Sequence, residues 1–131
     1  MSANRPLSPH LSIWKWRPTM AVSIFHRVSG HALAFAGLLL FAWWLIAAAT
    51  SAEAYATFQS VATSWFGWIV WVGLSWMAFQ HLLSGVRHLL MDSGWGFDLG
   101  LAQRSSMLVF LGAILLTALF WGFIFFGPGY R

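Results

Sequence analysis

Three long apolar runs dominate the chain, and each is continuous. They cover residues 30–49, 65–86 and 106–127. Each run reaches the ~20 residues that a helix needs to cross roughly 30 Å of hydrocarbon. The runs lack the apolar–polar alternation of membrane β-barrel strands. The pattern predicts an all-α membrane protein with three transmembrane helices, which span about 27–49, 64–90 and 105–127.

Composition agrees with a membrane environment. The chain is 60% hydrophobic and 8% charged, whereas a soluble domain carries about 25% charged residues. Cysteine is absent, which excludes disulfides, thiolate metal sites and cysteine nucleophiles. With no linker or repeat visible, we expect residues 1–131 to form a single membrane-anchor domain.

The basic residues indicate an orientation. Arg5, Lys15 and Arg17 precede the first run, and Arg87 and Arg104 flank the loop between the second and third runs. Because cytoplasmic loops carry the excess of Lys and Arg, the N-terminus and this loop are expected in the cytoplasm. We therefore interpret the net charge of +4 as a reflection of how the chain is oriented in the membrane, and we expect no nucleic-acid partner. Prolines and tryptophans before the first run predict an interfacial segment over residues 1–22.

A histidine enters the second apolar run. On one helix, His81, Gly85, His88 and Asp92 fall at i, i+4, i+7 and i+11 and share a face. His81 lies about 9 Å deeper than the arginine that follows it, at 1.5 Å per residue. An imidazole beside a bare glycine backbone suits a haem. A hydrogen bond to a serine or carbonyl of a neighbouring helix, or a role in proton relay, remains an alternative for His81, as does plain helix packing for Gly85.

A second polar cluster opens the first run. Ser23 and Arg27 are four residues apart and share a helix face, with His26 beside them. A serine hydroxyl can donate to a quinone carbonyl, and an arginine can stabilise the developing oxyanion or bind haem propionates. The alternatives are a helix cap for Ser23 and a snorkelling anchor for Arg27. His31 lies one turn further on, so two histidines of this chain sandwiching one haem also stays open.

Two motifs carry a family resemblance. The first combines "RPLSPHL" at 5–11 with "SIFHRVSG" at 23–30, and the second is "HLLSGVRHLLMDSG" at 81–94. Together with three spans in this order, they resemble the cytochrome b (b556, large membrane-anchor) subunits of succinate dehydrogenase. This enzyme is also called succinate:quinone oxidoreductase, or respiratory complex II.

The resemblance implies a haem b between two anchor subunits. His81 would be its axial ligand to iron, and a sister membrane-anchor subunit would supply the second. His26, Arg27, His88 and Gly85 would lie around the haem, the first two near its propionates. The quinone site implied by the resemblance comprises Ser23 and Arg27, with Ile24 and Met20 as weaker apolar contributors.

The resemblance also implies partner subunits and a cellular location. A flavoprotein and an iron–sulfur subunit would dock on the cytoplasmic face and pass electrons from succinate to ubiquinone. The chain itself would not oxidise succinate but would contribute to the quinone site. We expect the bacterial cytoplasmic (inner) membrane, in preference to the mitochondrial one. The alternatives are a haem-free anchor of a related fumarate reductase or of another membrane complex, and a channel or transporter subunit. The last is disfavoured because no acidic residue lies inside a span.

Overall fold

The computed structural model describes residues 14–127, whose regular structure is helical. Its elements are α1 (Pro18–Ala32), a π-helical turn (Leu33–Gly37), α2 (Leu38–Thr50), α3 (Ala52–Ala62), α4 (Trp65–Asp92) and α5 (Leu99–Phe126). Three stretches are long and apolar enough to span a membrane: α1 through α2, α4, and α5. No strand occurs in the described part of the chain. The predicted all-α membrane fold with three spanning helices is confirmed.

The first spanning helix begins before the apolar run. Pro18 stands in its first turn, where a proline loses no hydrogen bond and its φ already suits a helix. The predicted interfacial segment lies largely in residues 1–13, which are outside the described residues. Trp14 and Trp16, at its described end, are exposed and pack edge to face with ring centroids 4.9 Å apart.

The connection between the first two spans is itself a helix, α3, which the apolar pattern did not reveal. The Ser51 hydroxyl caps it by accepting from the Ala54 amide at 3.1 Å. Phe58 of α3 is buried and packs edge to face on Trp43 of α2, with ring centroids 5.0 Å apart. The α3 helix therefore folds back onto the end of the first span.

The α4 and α5 helices pack closely through small side chains. The buried residues of α5 form one stripe: Ala102, Ser106, Val109, Ala113 and Thr117. Small residues let helix backbones approach, which is how helices associate where lipid removes the hydrophobic driving force. At Gly112, an added Cβ would lie 2.9 Å from Leu83 Cδ1.

Large apolar side chains point outwards, while several buried side chains are small or polar. Leu39, Ile69 and Phe123 are 69%, 60% and 71% exposed, whereas Gln80 and Ser106 are fully buried. A water-soluble protein hides its large apolar side chains. The reversed distribution fits a bundle whose surroundings are hydrocarbon.

The loop from α4 to α5 turns sharply at two glycines. Gly94 and Gly96 have φ values of 90° and 91°, a region that side chains with a Cβ seldom adopt. The Asp98 side chain then caps α5 by accepting from the Leu101 amide at 3.0 Å. This turn brings Phe97 back over the end of α4, where it lines the cavity described below.

Candidate functional site

His81 is held against the first helix by two polar contacts. Its Nδ1 lies 3.0 Å from the carbonyl oxygen of His26 and 3.2 Å from the hydroxyl of Ser29. A carbonyl accepts and never donates, so Nδ1 carries the proton in this arrangement. The opposite nitrogen, Nε2, is then the one with a free electron pair. Metal-binding histidines are usually oriented in this way, by a hydrogen bond from the ring nitrogen that does not bind the metal.

The hydrogen bond weighed as an alternative for His81 is thus formed. It is also compatible with a ligand role, because it uses Nδ1 and leaves Nε2 available. Ser29 is buried, and its hydroxyl also donates to the His26 carbonyl at 3.0 Å. The carbonyl oxygen of His26 in α1 therefore accepts hydrogen bonds from the Ser29 hydroxyl and from the His81 imidazole of α4.

Gly30 makes room for the His81 ring. A Cβ at this position would lie 2.9 Å from Cε1 and 3.3 Å from Nδ1 of the imidazole. The bare backbone that His81 requires is therefore on the neighbouring helix. Gly85, the glycine singled out on its own helix, faces another histidine: a Cβ there would lie 3.8 Å from His26 Nε2.

Three histidines follow one another along the junction of α1 and α4. His26 stacks on His81 with ring centroids 4.2 Å apart and an interplanar angle of 12°. His88 is tilted against His26, with centroids 6.2 Å apart. His88 Nδ1 also lies 3.5 Å from Asp92 Oδ1, and both side chains are largely exposed. The spacing that placed His81, Gly85, His88 and Asp92 on one face is followed by the structure.

A cavity of about 290 Å³ opens between the start of α1 and the end of α4. Its polar lining is Ser23, His26 and Arg27 from α1, with Ser84, Arg87, His88 and Asp92 from α4. Residues 61 apart in sequence, Ser23 and Ser84, thus face one space. Its size lies just below the roughly 300–1,000 Å³ range of small-molecule sites.

A shallow groove of about 480 Å³ lies on the outer side of the histidine stack. It is lined by His26, Arg27, Gly30, His31, Ala34, Phe35 and His81. His26 and Arg27 line both the cavity and the groove. A ligand in the cavity and a second ligand in the groove would therefore both contact these two residues. The Arg27 side chain is exposed and makes no hydrogen bond or ion pair to any residue of 14–127.

The remaining predicted residues lie at the margins. Ile24 lies on the outward face of α1 and lines a further shallow groove with Arg27 and His31. Met20 is half-buried one turn before Ile24 and is not among the residues that line the cavity. His31 Nδ1 donates to the Arg27 carbonyl at 2.7 Å, so its Nε2 also carries a free electron pair.

Sequence reasoning missed several residues that build this site. Ser29, Gly30 and Ser84 all lie in the quoted motifs, but the spacing of the motifs predicts no role for them. Arg87 joins α4 to α5, since its Nε donates to the Ser105 hydroxyl at 3.0 Å and its Nη2 to the Ala102 carbonyl at 3.4 Å. The signal for Gly30 was present: a serine and a glycine side by side in a helix indicate close helix packing.

The fold and the cavity define a class of protein: an all-α membrane anchor with a polar cavity at one end of its helix bundle. The family described as the succinate dehydrogenase/fumarate reductase transmembrane subunit matches residues 1–120. The chain belongs to this family, as its motifs predicted.

The relatives to which the chain is similar have names that agree with this family. A succinate dehydrogenase cytochrome b556 subunit from Paracoccus denitrificans is 43% identical over 116 residues, 88% of each chain. One from Rickettsia felis is 41% identical over 117 residues, 89% of this chain and 90% of its own. The mitochondrial cytochrome b560 subunit of Mus musculus is 37% identical over 118 residues, 87% of this chain and 68% of its own.

Proposed function

We propose that this chain is the cytochrome b membrane anchor of a succinate:ubiquinone oxidoreductase, which binds a haem b and forms part of the quinone-reduction site. The observation that carries the proposal is the His81 imidazole, whose Nδ1 is tied to the His26 carbonyl at 3.0 Å. The names of the relatives, which are cytochrome b subunits of succinate dehydrogenase, support it.

The residues present fit a haem. A haem brings four equatorial nitrogens of its own and needs axial ligands, for which a single oriented imidazole is suited. His81 would bind iron through Nε2 from the groove that it lines with Gly30, and His26 and Gly85 would lie near the macrocycle. His26 and Arg27 would approach the propionate carboxylates, which the Arg27 guanidinium can bind through two hydrogen bonds, and His88 would contact them from the end of α4. When bound, the haem supplies a centre that takes up and releases one electron.

The quinone head group would occupy the cavity. Ser23 would donate a hydrogen bond to a carbonyl oxygen, and Arg27 would stabilise the negative charge that grows there on reduction. Conversion of ubiquinone to ubiquinol takes up two electrons and two protons. The partner subunits would deliver the electrons, and the protons would come from the cytoplasmic side, where the distribution of basic residues puts this end of the bundle. Ile24 and Met20 would offer apolar surface to the isoprenoid tail.

The chain would act as one part of an assembly. Its single domain, residues 1–131, would pack on a sister anchor that supplies the second axial histidine. An iron–sulfur subunit and a flavoprotein would dock at the cytoplasmic face. The excess of basic residues near the cavity end supports a cytoplasmic N-terminus in a bacterial inner membrane.

Absorption spectra of the purified complex test the haem assignment. His81→Ala should abolish the b-type band in the reduced-minus-oxidised spectrum. His31→Ala is the matched variant, since it removes an imidazole from the same groove. Loss of the band in His31→Ala with retention in His81→Ala would overturn the assignment. A wild-type complex without a b-type band would favour a haem-free anchor of a related fumarate reductase.

Enzyme assays test the quinone assignment separately. Ser23→Ala and Arg27→Leu should slow quinone reduction and spare succinate oxidation by a dye that accepts electrons upstream. An equal decline of both activities would mean that the substitutions impair assembly.

A further inference from the structure

A second serine, Ser84 of α4, borders the cavity. Ser84 is 5% exposed and is among the residues that line this space. In α4 and α5, the other hydroxyl side chains each donate to a backbone carbonyl of their own helix: Ser75, Ser105, Ser106 and Thr117. This is the ordinary way in which a helical hydroxyl is satisfied. Ser84 makes no such bond in the described residues.

Gln80 explains why Ser84 departs from the others. The Gln80 side chain is fully buried one turn earlier on α4, and its Nε2 donates to Ser84 Oγ at 3.3 Å. A hydroxyl has one donor and two acceptor positions. With one acceptor position filled by the amide, the Ser84 proton remains available for a partner in the cavity.

The amide itself is incompletely satisfied. Gln80 Oε1 is buried and has no partner in the described part of the chain. A buried polar atom left without a hydrogen bond lowers stability, and an apolar side chain of similar length would avoid that cost. Residues that break a local rule in this manner are concentrated at functional sites.

We propose that Ser84 donates a hydrogen bond to the quinone head group from α4, opposite Ser23 on α1, and that Gln80 is the positioning residue that keeps its hydroxyl free. This inference rests on the proposed quinone site and assigns two further residues to it. When Gln80 is absent, the Ser84 hydroxyl turns back to the carbonyl of its own helix, as Ser75 does.

Steady-state kinetics of the assembled complex test the pair, with a short-chain ubiquinone as substrate. Ser84→Ala and Gln80→Met should each raise the KM for quinone about 3- to 10-fold, which is the loss of affinity expected when one neutral hydrogen bond is removed. Succinate oxidation by an upstream dye should be unchanged. Ser84→Thr should restore a KM close to that of the wild type, and the double variant should be no worse than Ser84→Ala.

Ser106→Ala is the matched control, because it removes another buried hydroxyl, one that is bonded within α5. An unchanged KM in Ser84→Ala, with Ser23→Ala impaired, would overturn this inference and leave the proposed quinone site intact. Unchanged quinone kinetics in both serine variants would overturn the site itself. A parallel loss of quinone and dye activities would assign Ser84 a structural role. Should Gln80→Met fail to assemble, the Ala and Thr variants at Ser84 decide alone.

Discussion

Replacing Gly30 by alanine tests whether the position of the His81 imidazole determines how tightly the protein binds haem. The new Cβ would lie 2.9 Å from Cε1 of the imidazole, whereas an unstrained carbon–carbon contact needs about 3.5 Å. The ring must therefore retreat by roughly 0.6 Å or the helices must separate. Its Nδ1 contacts with the His26 carbonyl and Ser29 hydroxyl, at 3.0 and 3.2 Å, have little length to spare before they cease to be hydrogen bonds.

Two effects of opposite sign make Gly30→Ala informative. Loss of the contact that orients a metal-binding histidine lowers metal affinity about 10- to 100-fold. In contrast, alanine in place of glycine within a helix stabilises it by about 0.5–1 kcal/mol. We therefore expect a complex that contains less haem although α1 is an intrinsically better helix.

The measurement is haem per purified complex, taken from the reduced-minus-oxidised spectrum during titration with haem. Gly73→Ala is the control, since it adds a methyl group to α4 that meets no atom within 4 Å apart from the adjoining backbone of its own helix. It should leave haem content unchanged. Wild-type haem affinity in Gly30→Ala would refute the reasoning, because it would mean that the position of the imidazole does not limit binding.

Four further substitutions test the packing of the helices and their connections. Gly67→Ala would drive a Cβ into the carbonyl oxygens at the end of α3, so the free energy of unfolding should fall by about 1–3 kcal/mol; retained stability would show that α3 is loosely attached. Arg87→Lys and Ser105→Ala should each cost about 1 kcal/mol and act non-additively, since both remove one hydrogen bond; additive losses in a double-mutant cycle would contradict that bond. Ser51→Ala should cost about 1 kcal/mol by uncapping α3, seen as faster amide hydrogen exchange in α3 alone; unchanged exchange would contradict the cap.

Helical periodicity was sufficient to predict how residues of one helix relate to each other. Ser23 and Arg27 line the same cavity, and so do His88 and Asp92, because a spacing of four residues returns a side chain to the same face. The three spans also follow from apolar length alone.

Contacts between distant segments were not predictable in the same way. His81 reaches the carbonyl of a residue 55 positions away, and periodicity says nothing about which helix packs against which. Periodicity therefore indicates only Gly85, on the same helix, as a bare backbone patch near His81, and it gives no sign of Gly30. The α3 helix was missed because its small and polar residues produce no apolar run, and its end is instead fixed by Gly67 of the next span.

The π-helical turn Leu33–Gly37 sets the angular phase between the two ends of the first span. A π turn accommodates one extra residue, and each residue of a helix corresponds to about 100° of rotation. Before the turn, Arg27 and His31 line the groove, and after it Trp43 meets Phe58. Removing one residue from the turn would restore a regular helix and rotate the tryptophan by more than a quarter of a revolution. The extra residue thus allows one continuous helix to pack against two neighbouring helices that lie in different directions.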